Sequence, residues 1–155
     1  AKATLRIDTG LTAGQWHHIA YTWNLNSSSN TGIIGFLDGA QKTHGSGATF
    51  GSGGTSKTVT NGGSAVRAAR FTGNYSNVYL DEISLFNNVV DATGIAEIYN
   101  SGEPIDLLAT SDLVGYWRMG EGDDASGTTI TDLKNGNDMT LINDAAIDSG
   151  EFVGA

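Results

Sequence analysis

The sequence predicts an all-β sandwich of many short strands with one short helix. Glycine is abundant at 22 residues while Pro104 is the only proline, so Gly, Asn, Ser and Asp must make most of the turns. Aromatic and β-branched stretches recur between those turn clusters, and 91–100 is the one segment with convincing helical spacing. A chain of 155 residues is long enough to bury one sizeable core, and a single domain is the simplest organisation.

In chain order, alternation around 4–7 gives a first short strand with Leu5 and Ile7 on one face. Residues 16–23, Trp-His-His-Ile-Ala-Tyr-Thr-Trp, lack a charge or a helix-favouring block and predict a central strand. Alternation puts His17, Ile19, Tyr21 and Trp23 on one face and Trp16, His18, Ala20 and Thr22 on the other. Such a strand is covered on one side and lines an aromatic groove on the other. Taken singly, Trp16 and Trp23 are expected in the core before they are expected on a ligand platform. His17 and His18 point to opposite faces, so they are read as hydrogen-bonded sheet residues, not as joint metal ligands, and none of His17, His18 and His44 has an evident carboxylate partner.

A polar bend at 25–30 leads to a strand over 33–37, which closes on Asp38-Gly39, a strong hairpin dipeptide. A strand at 41–44 follows. Residues 45–63 read as Gly/Ser/Thr loops around weak strands near Phe50 and Val59, because small side chains bury too little area to define a core. A strand at 66–71 and a Gly73-Asn74 turn precede a second core strand at 78–86. There Asp81 shares a face with Tyr79, Ile83 and Leu85, so it needs a backbone cap, an arginine or a cation as partner. Asp91 is the expected N-cap of the helix, Ile95, Ile98 and Tyr99 form its apolar stripe, and Gly102 and Pro104 end it. Strands at 113–119, 128–131 and 139–142 complete the chain.

The charge is uneven. Residues 1–90 carry six basic and four acidic groups, whereas 91–155 carry Arg118 and Lys134 against thirteen acids. A net charge of −9 argues against nucleic acid as a partner and suits solubility or a divalent cation. No stretch approaches the roughly 20 apolar residues of a membrane-spanning helix, so membrane insertion is not expected. The absence of cysteine excludes disulfides and thiolate chemistry and leaves the compartment open.

Gly-Gln-Trp-His-His-Ile-Ala at 14–20, Phe-Leu-Asp-Gly at 36–39, Leu-Asp-Glu-Ile-Ser-Leu-Phe at 80–86 and Glu-Ile-Tyr-Asn at 97–100 together resemble the central strand, turn, closing strand and final helix of laminin-G-like modules in the concanavalin-type lectin and glucanase superfamily. The resemblance implies a two-sheet antiparallel jelly-roll sandwich. One departure stands out. Residues 113–122, with Thr131-Asp132 and Asn135-Gly-Asn-Asp138, look like the family's opening strands, yet they follow the closing helix. The expected organisation is therefore a central and closing part over 1–107, and an opening-strand-like segment over 108–155 that completes the sandwich or begins a next repeat. Displaced opening strands leave sheet edges open, so 1–7 or 128–142 is expected to pair with a neighbouring subunit, giving a homo-oligomer or contacts within a virion or fibre.

The glucanases of this superfamily carry Glu-x-Asp-x-x-Glu on one strand, whereas Asp81 and Glu82 are adjacent and fall on opposite faces, so paired-carboxylate catalysis is not expected. No serine elbow, zinc helix or phosphate loop is present, and the chain is read as a non-enzyme. Some modules that this chain resembles hold calcium. If the opening motif folds beside the closing strand, Asp132 and Asn137 join Asp81 as candidate oxygen ligands; an acidic turn with hairpin chemistry is the alternative. The resemblance further implies a recognition or adhesion module for a surface glycan, extracellular or on a virion, with Tyr21, Trp23 and Tyr75 as aromatic platform and Asn24 and Asn74 as polar helpers. A purely structural assembly role is the rival.

Overall fold

The computed structural model describes residues 3–4, 11–24, 32–42, 49–50, 68–71, 74–75, 77–120, 123, 126–142 and 145–146. In chain order these form β1 (Ala3–Thr4), β2 (Ile19–Trp23), β3 (Ile33–Leu37), β4 (Ala40–Lys42), β5 (Thr49–Phe50), β6 (Arg70–Phe71), β7 (Asn74–Tyr75), β8 (Ile83–Phe86), α1 (Ala92–Tyr99), a 3₁₀ turn (Asn100–Gly102), β9 (Leu113–Trp117), β10 (Thr129–Ile130) and β11 (Met139–Thr140). Every ladder is antiparallel. Short antiparallel strands with one short helix are consistent with the β-sandwich that the sequence predicts. The chain divides into two compact units, one of residues 1–60 and 88–105, the other of residues 61–87 and 106–153. The closing strand β8 is thereby grouped with the C-terminal segment.

In the first unit β2, β3 and β4 form a sheet in that order. The β3–β4 hairpin turns through Asp38 at φ 52° and Gly39 at φ 71°, both left-handed, as a two-residue turn between right-twisted strands requires. Helix α1 starts as its sequence predicts, with Asp91 Oδ1 accepting from Gly94 N at 2.9 Å, but left-handed Asn100 ends it two residues before the expected Gly102. Ile95 is its buried residue. Tyr99 stacks against His18 with ring centroids 5.7 Å apart and lies under Gly39, where an added Cβ would stand 2.7 Å from a ring carbon. By alternation His18 shares a face with Ala20 and Thr22, so the helix end sits on that side of the sheet.

The central strand expected at 16–23 begins only at Ile19, because His17 and the backbone of His18 are bonded to the Asp38 side chain instead of continuing a ladder. Trp16 at 51 % and Trp23 at 47 % exposure are not core residues, which corrects the expectation from burial statistics. Trp16 precedes the strand, and Trp23 ends it, half exposed opposite the buried Ile33. The core of this unit is Ile33, Phe36, Leu37 and Ile95.

In the second unit β8 pairs with β9, Ile83 opposite Trp117 and Leu85 opposite Gly115, with a bulge between Leu85 and Phe86. The Trp117 indole folds back over Gly115, leaving no space for a side chain there. Leu107, Leu113, Tyr116, Trp117 and Ile130 form this core. The strand expected at 78–86 shrinks to Ile83–Phe86, since Glu82 takes a left-handed φ of 52° that breaks the extended run, and Val78, Tyr79 and Leu80 before it are exposed. Both segments expected to be open edges have ladders within the chain: β1 pairs with β5 and β10 with β11. β6 and β7 form a further hairpin. Residues 43–44, the loops of 45–63 other than β5, and the acidic residues Glu121 and Asp124 lie outside the described residues.

Gly39 and Gly136 share a left-handed φ, 71° and 70°, but Gly136 has nothing within 4 Å of an added Cβ. Alanine at either position carries the backbone strain of about 1–2 kcal/mol. Gly39→Ala also displaces Tyr99, so urea unfolding should show it losing at least about 1 kcal/mol more than Gly136→Ala.

Candidate functional site

Among the described residues β2 pairs only with β3, and Ile19, Tyr21 and Trp23 along one side of it are 47 %, 53 % and 47 % exposed. Residues two apart on a strand point the same way, with Cα atoms roughly 6.6–6.8 Å apart, so the two aromatic rings lie in a row. Opposite them on β3 are Leu37, Gly35 and Ile33, and Lys42 of β4 faces Gly35 in turn. Directly cross-strand residues share a face. The exposed positions of that face are on β2, since Gly35 is buried, as are Ile33 and Leu37 beside it. Asn24 follows Trp23, exposed, with its backbone N–H donating to the Gly32 carbonyl at 2.7 Å.

The base of the strand is fixed by Asp38. Its Oδ1 accepts from His18 N at 3.0 Å, and its Oδ2 lies 2.9 Å from His17 Nδ1. His17 Nε2 accepts from Thr12 N at 2.9 Å, so in this arrangement the imidazole is neutral and its proton is on Nδ1, donated to Asp38. The carboxylate partner that sequence reading found for no histidine is therefore Asp38 for His17. The Asp38-Gly39 turn was visible in sequence, but its use as an anchor for the preceding strand was not.

Of the expected ligand-binding residues, Tyr21, Trp23 and Asn24 come together at the end of β2. Asn74 and Tyr75 form β7, in the second unit. Lys42 and Gly35 were not singled out, although a two-residue Asp-Gly hairpin dictates that they pair.

Of the expected metal ligands, Asp132 and Asn137 are neighbours, with Asn137 Nδ2 3.3 Å from Asp132 Oδ2. Asp132 is buried, and its carboxylate is filled by N–H donors. Oδ1 accepts from Tyr116 N and Lys134 N at 2.9 Å, and Oδ2 accepts from Asn137 N at 3.0 Å. Burial alone would raise its pKa, but hydrogen bonds from the backbone of Tyr116, Lys134, Asn137 and Asn135 outweigh that and hold the carboxyl below its ordinary value. Asp81 Oδ1 accepts from Glu82 N at 2.9 Å. The lone pairs of the Asp132 carboxylate are already taken by N–H donors, and no group of three or more His, Cys, Asp or Glu side chains suited to a metal forms among the described residues. These residues do not fit a calcium site.

Glu82 is likewise occupied. Its Oε2 accepts from the Tyr116 hydroxyl and its Oε1 from Arg118 Nε at 2.9 Å. Tyr116 is fully buried; burial first, then the bond to Glu82, pushes its hydroxyl well above the ordinary tyrosine value, so it stays a donor. The left-handed Glu82 backbone that ends β8 turns this side chain toward β9. No sequence pattern signals that network.

A laminin G-type family model, described as concanavalin A-like lectin/glucanases superfamily, matches residues 1–96. Searches of curated proteins and of solved structures return no match.

Asp132→Ala leaves buried N–H groups without an acceptor and should cost about 2–3 kcal/mol in urea unfolding. Excess calcium or a chelator should leave the wild-type melting temperature unchanged. His18 gives a pH signature. Its pKa is lowered by burial, against a smaller upward pull from Asp38, and among the described residues its buried Nδ1 has no hydrogen-bond partner. The unfolded chain therefore binds the proton more readily, so the stability tied to neutral His18 is full above the ordinary value of 6.5 and is lost as pH falls below it. Between about pH 7 and 5, wild-type stability should decline and His18→Phe, which keeps a ring against Tyr99, should flatten the decline.

Proposed function

The chain belongs to the concanavalin A-like lectin/glucanases superfamily, and from that premise we propose that it is a non-catalytic recognition or adhesion module that binds a glycan on the exposed face of β2, at an extracellular or virion surface. The observation that carries this is the row of Ile19, Tyr21 and Trp23, half exposed on one face of an edge strand. Aromatic rings in such a row offer flat apolar surface to the C–H faces of pyranose rings, with Asn24 beside them for hydroxyl groups. The non-catalytic reading is supported by the carboxylates. Glu82 is committed to Tyr116 and Arg118, and Asp81 bonds the Glu82 backbone, so neither is part of an open acid and nucleophile pair of the kind glycoside hydrolysis uses.

The same strand supports a second reading. Among the described residues β2 pairs only with β3, and an edge strand with an exposed apolar row is a natural surface for assembly with another copy or a neighbouring subunit.

A glycan array with the purified chain separates the two. Glycan recognition predicts saturable binding that Trp23→Ala weakens about tenfold, roughly 1.4 kcal/mol, with little change in stability because the side chain is half exposed. An empty array, together with concentration-dependent oligomers that Ile19→Lys dissolves, would replace glycan recognition by assembly.

A further inference from the structure

We infer that two copies of this chain join through the free edge of β2, in an antiparallel pairing centred on Tyr21, and that the glycan platform is completed across that junction; the platform rests on the glycan-binding reading, the pairing does not.

The direction of the hydrogen bonds carries the inference. Asp38 N donates to the His18 carbonyl at 2.9 Å and Asn24 N to the Gly32 carbonyl at 2.7 Å. In the ladder of β2 with β3 the bonded pairs are therefore His18 with Asp38, Ala20 with Phe36, Thr22 with Ile34 and Asn24 with Gly32. Ile19, Tyr21 and Trp23 between them turn their N–H and C=O groups away from β3. None of the three makes another hydrogen bond among the described residues. This edge is complementary to itself. In an antiparallel pairing about Tyr21, each Tyr21 meets Tyr21 of the second copy and each Ile19 meets Trp23, so every outward donor of both strands finds an acceptor.

Charge makes a second copy the occupant. A net charge of −9 drives two copies apart, yet no Asp, Glu, Lys or Arg occurs from 9 to 37, the longest uncharged stretch of the chain. Copies approach at this edge with the least repulsion. Edges that stay solitary are guarded by proline, lysine or a bulge, whereas β2 has none of these and its register against β3 is unbroken. The opposite edge, β4, is only three residues long and ends on Lys42. Pairing also sets the half-exposed side chains of Ile19, Tyr21 and Trp23 on one face in both copies, with Tyr21 beside Tyr21 and Trp23 beside Ile19. Two aromatic rows roughly 5 Å apart then make one platform wider than either copy offers. So short a pairing lies at the small end of specific interfaces, and its dissociation constant is expected in the micromolar range.

The test is sedimentation velocity of the whole chain over a concentration series, with disulfide trapping in single-cysteine variants, which reads cleanly because the chain has no cysteine. Wild type should pass from monomer to dimer, and Tyr21→Cys should give a covalent dimer under mild oxidation, since the two Cα atoms then stand about 5.5 Å apart, within disulfide reach. Ile19→Cys and Trp23→Cys should trap at least about tenfold less, because each lies roughly 13–14 Å from its own equivalent. Ile19→Pro, which removes an outward N–H and no ladder bond, should be folded by circular dichroism and monomeric. A wild type that stays monomeric, equal trapping at all three positions, or a dimer that persists in folded Ile19→Pro overturns the pairing. Calorimetry with a glycan from the array, below and above the dimer midpoint, tests the platform. Tighter binding above the midpoint supports it, while equal binding overturns it and leaves both the pairing and glycan recognition standing. A dimeric wild type that binds no glycan overturns the platform and the glycan reading together, and the pairing stands.

Discussion

The first unit depends on one two-residue turn. Asp38 and Gly39 both adopt left-handed backbone, and that conformation fixes the pairing of β3 with β4. The Asp38 carboxylate then reaches back to His17 and to the backbone of His18, setting where β2 enters the sheet. Gly39 leaves room for Tyr99, so the helix end docks at the same point. Three elements therefore meet at a turn in which neither residue can be exchanged freely. The register of the sheet is a consequence: the turn places Lys42 opposite Gly35, and Asp38 holds the start of β2.

The second unit solves a different problem, the two edges of β9. One edge is paired with β8. The other is met by the 131–137 loop, where Asp132 accepts from Tyr116 N, Leu133 N donates to the Tyr116 carbonyl at 2.9 Å, Asn135 Nδ2 donates to the Val114 carbonyl at 2.9 Å, and Trp117 Nε1 donates to the Asn137 carbonyl at 3.1 Å. An irregular polar loop thus covers an edge that would otherwise be open to another chain. Glu82 and Asp132 spend their charge on buried donors, which gives acidic residues in a glucanase-like superfamily a structural use. The opening-like strand β9 pairs with the closing strand β8, and the polar residues that follow it serve the backbone of β9.

What was legible in the sequence was local and periodic. The Asp-Gly hairpin, the Asp91 cap and the β-rich segments around Tyr21, Phe36 and Tyr116 all follow from short-range chemistry. The aromatic row was legible from alternation, yet which face would be covered was not, and so Trp23 was expected inside. Lengths of strands failed where a single left-handed residue intervenes: nothing in Leu80-Asp81-Glu82-Ile83 announces φ 52° at Glu82, because a non-glycine residue there is held by its tertiary bonds to Tyr116 and Arg118. The His17 and Asp38 pair and the filled carboxylate of Asp132 are contacts between residues distant or turned back in the chain, and no spacing rule encodes them. The register of β2 against β3 was equally hidden, since a polar bend read at 25–30 leaves the number of looped residues open.

The most direct measurement is two-dimensional amide NMR of the three tryptophan indoles during saccharide titration. Trp117 donates its indole N–H to Asn137 and is buried, while Trp23 stands on the exposed row. Recognition on the β2 face predicts that the Trp23 indole signal, assigned with Trp23→Phe, shifts saturably with a bound oligosaccharide while the Trp117 signal stays fixed. Saturable shifts that leave Trp23 untouched, or no shift with any saccharide in a chain whose spectrum is that of a folded protein, would contradict it.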